Sequence, residues 1–346
     1  MELNNPLVLI GVVAGLAILL GGINALIGGP ASVPASLVID KTGFALAPEL
    51  KGISGYINAE DDFTLASLKG KVVIVDFWTY SCINCIRTQP YLNAWHEKYA
   101  DQGLVIVGVH TPEFSFEKEY ENVLLATQDA GIQYPVVLDN DYATWRAYAN
   151  RYWPRKYLID AEGYIRYDHI GEGGYDETEE WIQKLLSEKD ALLAFDDSLS
   201  ADEVNAAAVD FSKIGTPEIY LGYSFARAPL GSPEGFQPEQ TVEYSIPETV
   251  SPNLAALSGT WINTPDYMEL SSEEGEVRLE YTAKNVNIVA ANAATLDVYL
   301  DGEKISTIET NAVQLYSLIT TPNYETHVLT FKVKGKGFQL YTFTFG

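Results

Sequence analysis

Two cysteines, Cys82 and Cys85, follow closely on an apolar run, and this pair constrains the fold more than any other feature of the chain. The run VVIVDFW over Val72–Trp78 has the β-branched and aromatic composition of a buried strand. The residues from 83 onward have helical periodicity. With only 2 cysteines in 346 residues, a disulfide-stapled scaffold and a zinc site of four thiolates are excluded. The sequence therefore predicts a strand, a turn that carries the thiol pair, and a helix.

The charge of the chain argues against a nucleic-acid partner. The sequence contains 22 Lys and Arg against 47 Asp and Glu, a net charge of −25. Such an excess of negative charge repels polyanions. The 47% of hydrophobic residues is enough to build the cores of more than one domain.

The beginning of the chain has the pattern of a membrane anchor. The stretch from Leu7 to Gly29 carries no charge, and as a helix it would extend roughly 35 Å, enough to span a bilayer. A cleaved signal peptide is the alternative, because the small residues at 31–35 resemble a cleavage site. The absence of a basic residue before the apolar stretch, together with its length, favours the anchor. We predict a transmembrane helix within 1–30 and a tether over 31–55.

Strand and helix patterns alternate between 56 and 190, which predicts an α/β domain. The predicted strands are Val72–Trp78, Leu104–Val109, Tyr134–Leu138, Lys156–Asp160 and Tyr164–Ile170. The predicted helices lie at 83–101, 115–131, 141–150 and 176–188. The turn sequence Asp-Ala-Glu-Gly before the last strand predicts an antiparallel hairpin.

A helical linker is predicted over 191–213, where Ser200 and Glu203 have the spacing of a capping box. Short strand patterns separated by turn residues then fill 214–346, which predicts an all-β sandwich of jelly-roll type. The predicted strands are Glu218–Phe225, Thr241–Ile246, Val277–Ala283, Val286–Ala290, Leu296–Leu300, Val328–Val333 and Phe338–Phe345. Asp301-Gly302 is a strong hairpin-turn signal.

Aromatic residues in this region allow two interpretations. They could form a platform on which a sugar stacks, or they could fill the core of the sandwich, and the core is the favoured interpretation for any single residue. The residues concerned are Tyr220, Tyr223, Phe225, Tyr244, Trp261 and Tyr267.

The position of the thiol pair predicts its chemistry. A thiol at a helix N-terminus faces unpaired N–H groups and the positive end of the helix dipole, which favour the thiolate. Cys82 has that position and is the predicted nucleophile. Cys85, one turn later, is predicted to attack the mixed disulfide formed at Cys82 and to release the reduced partner. The expected cofactor is therefore none beyond a redox-active disulfide, and the spacing of the histidines predicts no metal site.

Further residues lie at sequence distances that suit this chemistry. Asp76 interrupts the apolar strand, and a buried carboxylate with a raised pKa could accept the proton of Cys85. Pro90 would kink the helix. Pro154 follows Trp153 directly before a strand, so it is a candidate cis-proline that, with Trp153, would present its backbone to a substrate.

These motifs resemble the thioredoxin superfamily. The resemblance rests on Asp76, Phe77-Trp78, Cys82-x-x-Cys85, Pro90 and Pro154. The segment at 63–71 is similar to the membrane-anchored thiol reductases of the TlpA/ResA type. The Cys-Ile-Asn-Cys motif and the segments at 152–160 and 169–175 resemble the soluble part of DipZ-type proteins, in which a β-sandwich resembling a carbohydrate-binding module follows the thioredoxin domain.

The resemblance implies a thioredoxin-like fold and a reductant of disulfides in exported proteins. DipZ-type proteins carry a multi-helix membrane domain that transfers electrons, whereas this chain offers one candidate helix, so the expected electron donor is a separate membrane protein of the CcdA/DsbD type. In TlpA/ResA relatives a Glu near the active site assists, and Glu113 matches it by position. Ser81 stands before Cys82 where thioredoxins usually have Trp, so the surface that binds partners is expected to differ.

The sequence thus predicts a single-pass membrane protein whose redox domain, 56–190, lies outside the cytoplasm and catalyses thiol–disulfide exchange. The alternative is an anchored glycan- or protein-binding module in which a Cys82–Cys85 disulfide is structural. A glycan ligand of the C-terminal domain rests on the resemblance alone. The direction of electron flow stays open, because it depends on how well the Cys82 thiolate is stabilised.

Overall fold

The computed structural model describes residues 41–195, 199, 204 and 209–346. The predicted anchor over 1–30, the first part of the predicted tether and the capping box at 200–203 lie outside these residues. Within them, no helix combines the length and the apolar character needed to cross a membrane. Phe44–Gly346 forms one compact unit that contains both the redox domain and the C-terminal domain.

The redox domain is built on a mixed sheet with the strand order β1-β4-β3-β2-β5-β6. The strands are β1 (Gly55–Ile57), β2 (Val72–Trp78), β3 (Leu104–His110), β4 (Val136–Leu138), β5 (Arg155–Ile159) and β6 (Ile165–Ile170). β3 runs parallel to both of its neighbours, β2 and β4, whereas β5 runs antiparallel to β2 and β6. The predicted α/β fold and its closing hairpin are confirmed.

Helices cover both faces of this sheet. They are α1 (Ile83–Tyr99), α2 (Tyr120–Asp129), α3 (Ala143–Ala147) and α4 (Tyr175–Lys189). Alternate residues of β2 point to opposite faces. Val72, Ile74 and Trp78 pack with side chains of α1 and α4, whereas Val73, Val75 and Phe77 pack with Trp145 and Tyr148 on the other face. Asp76 therefore points to the face covered by α1, on which Cys85 also lies.

Part of the predicted tether belongs to the redox domain. Ala47 N–H donates to the carbonyl of Gly163, and Ser54 N–H donates to the carbonyl of Leu138, both at 2.9 Å. β1 then pairs with β4. The domain therefore begins upstream of the predicted boundary at 56. The sequence pattern did not reveal this, because such isolated pairings produce no periodicity.

The C-terminal domain is all β, as predicted. Its strands are β7 (Ile219–Tyr220), β8 (Thr241–Tyr244), β9 (Ala256–Asn263), β10 (Met268–Leu270), β11 (Glu274–Ala291), β12 (Ala294–Leu300), β13 (Glu303–Thr310), β14 (Gln314–Lys334) and β15 (Gln339–Phe345). The turn at Asp301-Gly302 joins β12 to β13 with positive φ at both residues, the geometry that a type I′ hairpin requires.

These strands form one continuous sheet that curls on itself, instead of the two separate sheets of the predicted sandwich. The order is β13-β12-β14-β11-β15-β10-β9-β8, with β7 on β15, and β11 pairs with β9 as well as β15. The register of β11 shifts at Ala283/Asn285 and at Val286/Asn287. Such bulges bend a strand, and the two ends of the long β11 accordingly pair with different strands, with β9 over residues 276–278 and with β15 over residues 286–291.

The loop that follows β3 joins the two domains. Phe114 is 1% exposed and packs against the rings of Phe225 and Tyr341 in the C-terminal domain, with centroid distances of 5.6 and 5.2 Å. The N–H and the Oγ of Ser115 both donate to the Asp266 carboxylate, at 3.1 and 2.6 Å. The C-terminal domain therefore holds a loop that begins at the same end of the sheet as the thiol pair.

Five of the six aromatic residues considered for a sugar platform, all but Tyr223, are committed to packing. Trp261 and Tyr244 lie in the core of the C-terminal domain, at 0% and 3% exposure. Tyr220, Phe225 and Tyr267 pack in the cluster around Phe114 and Tyr341. These rings are placed as the core interpretation expects, with part of the set serving the contact between domains.

Candidate active site

The two cysteines occupy unequal positions at the start of α1. Cys82 is the N-cap residue with extended backbone, and its sulfur accepts a hydrogen bond from the N–H of Cys85 at 3.3 Å. Cys82 is partly exposed, Cys85 is only 2% exposed, and both are free thiols. A disulfide in another protein can therefore reach the sulfur of Cys82, while Cys85 lies beneath it.

The thiol of Cys85 is held in its protonated form. Burial raises its pKa well above the ordinary value, and the nearby sulfur of Cys82 and carboxyl of Asp76 raise it further because each disfavours a second negative charge. Cys85 can attack a mixed disulfide only as a thiolate. The site therefore needs a base close to Cys85.

Asp76 lies where such a base is needed. It is 1% exposed, and burial raises the pKa of its carboxyl to about 7, while the ammonium of Lys156 opposes the shift. Among the described atoms, its Oδ1 has no hydrogen-bond partner. A buried carboxyl that titrates near neutral pH is suited to exchanging a proton with a thiol.

Lys156 is a site residue that the sequence reasoning missed. It lies opposite Asp76 in the register of β2 and β5, is 0% exposed, and donates from Nζ to the carbonyl of Gly171 at 3.2 Å. Burial lowers its pKa, and the charges of Asp76 and Cys85 oppose that shift. The sequence carried one sign of this role: Lys156 shares its strand face with Leu158, which is buried. A lysine on a buried face is unusual unless it has a partner.

Trp153 and Pro154 directly precede β5. The peptide bond between them is cis. The indole N–H of Trp153 donates to the carbonyl of Thr111 at 3.0 Å, and the carbonyl of Pro154 accepts from the N–H of Gly171 at 2.8 Å. Because Arg155 pairs with Phe77, Trp153 and Pro154 lie at the end of the sheet where β2 leads into the thiol turn. Pro90 lies inside α1, which continues to Tyr99.

Among the described residues, Glu117 and not Glu113 forms the hydrogen bond to the thiol turn. The Glu117 carboxylate accepts from the Oγ of Ser81 at 2.6 Å and from the N–H groups of Glu113 and Phe114 at 2.5 and 3.0 Å. Burial raises the pKa of Glu117, and these donors counteract the shift. The chain forms a short 3₁₀ turn over Ser115–Lys118, which brings the later carboxylate back toward the turn.

The C-terminal domain helps to shape the surroundings of the thiols. A cavity of about 540 Å³ beside Cys85 is walled partly by Gln314 and Leu315. Another, of about 420 Å³, lies beside the first turn of α1, and Phe211, Ile214 and Phe345 are among the residues that line it. Space near the thiol pair is therefore limited by both domains.

Comparison with known proteins agrees with this geometry. Residues 45–168 match the AhpC/TSA family, and residues 216–346 match the thioredoxin-like C-terminal domain family. The thiol-disulfide oxidoreductase YkuV of Bacillus subtilis is 31% identical over 142 residues, which are 41% of this chain and 94% of that protein. The chain belongs to the thioredoxin-like thiol–disulfide oxidoreductases.

Two further relatives cover different parts of the chain. Protein DipZ of Mycobacterium bovis is 37% identical over 307 residues, which are 87% of this chain and 43% of that protein. The thiol-disulfide oxidoreductase ResA of Bacillus cereus is 29% identical over 126 residues, 35% of this chain and 67% of that protein. The chain thus spans less than half the length of DipZ. Its membership of an oxidoreductase family favours the enzyme over a binding module with a structural disulfide.

Replacing Asp76 with Asn should change how the stability of this oxidoreductase depends on pH. Because the pKa of Asp76 is raised from 3.8 to about 7, the stability that this carboxyl contributes is fully present below about pH 4 and is lost as pH rises through about 7. As pH rises from 4 to 8, the free energy of unfolding of Asp76→Asn should therefore increase by about 3–4 kcal/mol relative to that of the parent. Urea unfolding at both pH values measures this difference.

Asp101→Asn is the matched control, because Asp101 is exposed at a surface turn. It should follow the parent at both pH values. An Asp76→Asn variant that also follows the parent would show that the carboxyl carries no such shift.

Proposed function

We propose that this oxidoreductase is a membrane-anchored reductase of disulfides in proteins outside the cytoplasm. The observation that carries the reaction in this proposal is the arrangement of Cys82, partly exposed at the start of α1, above a buried Cys85 that is backed by Asp76 and Lys156. This arrangement provides an accessible nucleophile, a protected second thiol and a proton acceptor.

The proposed reaction has two exchange steps. The Cys82 thiolate attacks a substrate disulfide, so that a mixed disulfide forms and the first substrate sulfur leaves. Asp76 then accepts the proton of Cys85, and the Cys85 thiolate attacks the sulfur of Cys82. The second substrate sulfur leaves, Cys82 and Cys85 become a disulfide, and the substrate has gained two electrons. Trp153 and Pro154 offer backbone at the site to which the substrate binds.

Return to the dithiol form requires a donor of two electrons. We propose a separate membrane protein of the CcdA/DsbD type, in keeping with the apolar stretch from Leu7 to Gly29 and the similarity to DipZ. The substrates would be exported proteins that carry disulfides. The similarity to ResA and YkuV, both named thiol-disulfide oxidoreductases, supports the reaction class.

The two cysteine variants should fail in different ways. In an insulin-reduction assay with dithiothreitol, Cys82→Ser should lose all activity because the nucleophile is absent. When reduced Cys85→Ser is mixed with insulin without dithiothreitol, it should form a mixed disulfide with the substrate and stop there, visible as an adduct in a nonreducing gel. Each variant serves as the control for the other. Equal activity of Cys82→Ser and the parent would exclude Cys82 as the nucleophile.

The reduction potential decides the direction of electron flow. Equilibration of the Cys82–Cys85 pair with glutathione buffers should give a value near that of thioredoxin, about −270 mV, as a reductase requires. A value near that of the oxidant DsbA, about −120 mV, would reverse the proposed direction.

The location of the thiols can be tested in intact cells. A membrane-impermeant maleimide should label Cys82 before lysis, because we propose that the redox domain lies outside the cytoplasm. Cys82→Ser supplies the background, since Cys85 is buried. Labelling that occurs only after lysis would contradict this location.

A further inference from the structure

A phenol shared by two carboxyl groups lies where the redox domain meets the C-terminal domain. The hydroxyl oxygen of Tyr220 is 2.7 Å from Oε1 of Glu113 and 2.7 Å from Oε2 of Glu218. The hydroxyl has a single hydrogen, which can complete one of these short contacts. The other contact needs a hydrogen on a carboxyl group. The clasp, as we call Glu113, Glu218 and Tyr220, therefore holds one proton in addition to that of the phenol.

The surroundings place this additional proton on Glu113. Glu113 is less exposed than Glu218. Burial raises the pKa of Glu218 as well, but there the Tyr220 hydroxyl and the Arg227 guanidinium oppose the shift and, among the described residues, no neighbouring carboxyl adds to it, so an ionised Glu218 costs less. Burial and the negative charges of Glu218 and Glu117 raise the pKa of Glu113 to about 8, which the Tyr220 hydroxyl and Arg227 partly oppose.

Other groups around the clasp favour the same assignment. Burial and both carboxyl groups raise the pKa of Tyr220, so the phenol keeps its own hydrogen. The guanidinium of Arg227 lies over the Tyr220 ring, 4.7 Å from its centroid. Further titratable groups around this cluster include Glu117, Tyr142, Asp266 and Tyr341, with Asp139, Tyr267 and Glu269 beyond them.

The clasp is connected to the thiol turn by hydrogen bonds. The N–H of Glu113 donates to Glu117, and Glu117 accepts from the hydroxyl of Ser81, the residue before Cys82. The Tyr220 hydroxyl thus holds the side chain of Glu113, and the N–H of Glu113 in turn holds the carboxylate of Glu117 in place. A displacement of Glu113 would move the acceptor on which Ser81 depends.

We propose that Tyr220 is a positioning residue for thiol–disulfide exchange: it fixes Glu113, and through Glu117 it fixes the turn that carries Cys82. The inference deepens the proposed function and rests on it, because the turn matters only if Cys82 is the nucleophile. A residue of the C-terminal domain thereby becomes part of the active-site support.

The clasp also makes this support sensitive to pH. While Glu113 is protonated, hydrogens fill both short contacts at Tyr220. As pH rises through about 8, Glu113 ionises, and two carboxylates then face one hydroxyl hydrogen. Since the pKa of Glu113 is raised by folding, the stability of the contact is present at low pH and is lost above about pH 8.

Hydrogen exchange of the full chain tests the clasp independently of activity. At pH 6, Tyr220→Phe should lower the protection of the amides in segment 111–118 about tenfold, the effect of losing a hydrogen bond to a carboxyl group. The ring is retained, so its packing near Phe114 is preserved. The kcat/KM for insulin reduction should fall to a similar extent.

Tyr223→Phe is the matched control. The hydroxyl of Tyr223 donates to Glu239 at 2.6 Å, also within the C-terminal domain. Because this bond has no connection to the thiol turn, Tyr223→Phe should keep the parent's protection of segment 111–118 and its kcat/KM.

Glu113→Gln tests the pH dependence. A carboxamide does not ionise but can still donate a hydrogen to this contact. After correction for intrinsic exchange rates, the parent should lose protection of segment 111–118 between pH 6 and pH 9.5, whereas Glu113→Gln should keep it.

Several results would overturn the positioning role. Tyr220→Phe would overturn it by keeping the parent's protection, or by losing protection while its kcat/KM stays unchanged. Tyr223→Phe would overturn it by showing losses equal to those of Tyr220→Phe. Glu113→Gln would overturn it by losing protection with pH as the parent does. A parent chain that fails to reduce disulfides would refute the proposed function. A parent that is active beside a Tyr220→Phe variant of equal activity would refute the positioning role alone.

Discussion

The pairing of β2 with β3 on one side and with β5 on the other is the constraint on which the site depends. β2 is buried along its whole length and ends directly before the turn that carries Cys82. The parallel partner β3 leads into the loop with Glu113 and Glu117, and the antiparallel partner β5 begins just after Pro154. Three segments far apart in the sequence therefore meet at one end of the sheet because of strand direction and register.

The same pairing places two charged side chains where a fold built only for stability would have apolar ones. Asp76 and Lys156 are both buried, and each reduces the cost of burying the other. Burying such groups generally contributes little to stability, because desolvation offsets their attraction. Their presence beneath Cys85 makes sense chemically, since Asp76 provides a carboxyl that can change its protonation state near neutral pH while the apolar surroundings keep Cys85 protonated.

The C-terminal domain is more closely tied to the redox site than an appended binding module would be. Its aromatic residues surround Phe114, its Asp266 binds Ser115, and its Tyr220 reaches Glu113. It also supplies part of the walls of the cavities beside the thiols. These contacts involve the loop after β3, so the domain can influence the thiol turn without touching either sulfur.

Sequence patterns were enough to predict the local elements, which are the buried strand β2, the helix that starts after Cys82 and the hairpin at Asp301-Gly302. Periodicity and turn chemistry report on neighbours within a few residues, and they are sufficient for such elements. Long-range contacts in the folded chain bring Lys156 opposite Asp76, place Glu117 instead of Glu113 beside Ser81, and let Tyr220 join the domains. Those contacts follow from strand register and from packing between distant segments, which leave no periodic trace in the sequence.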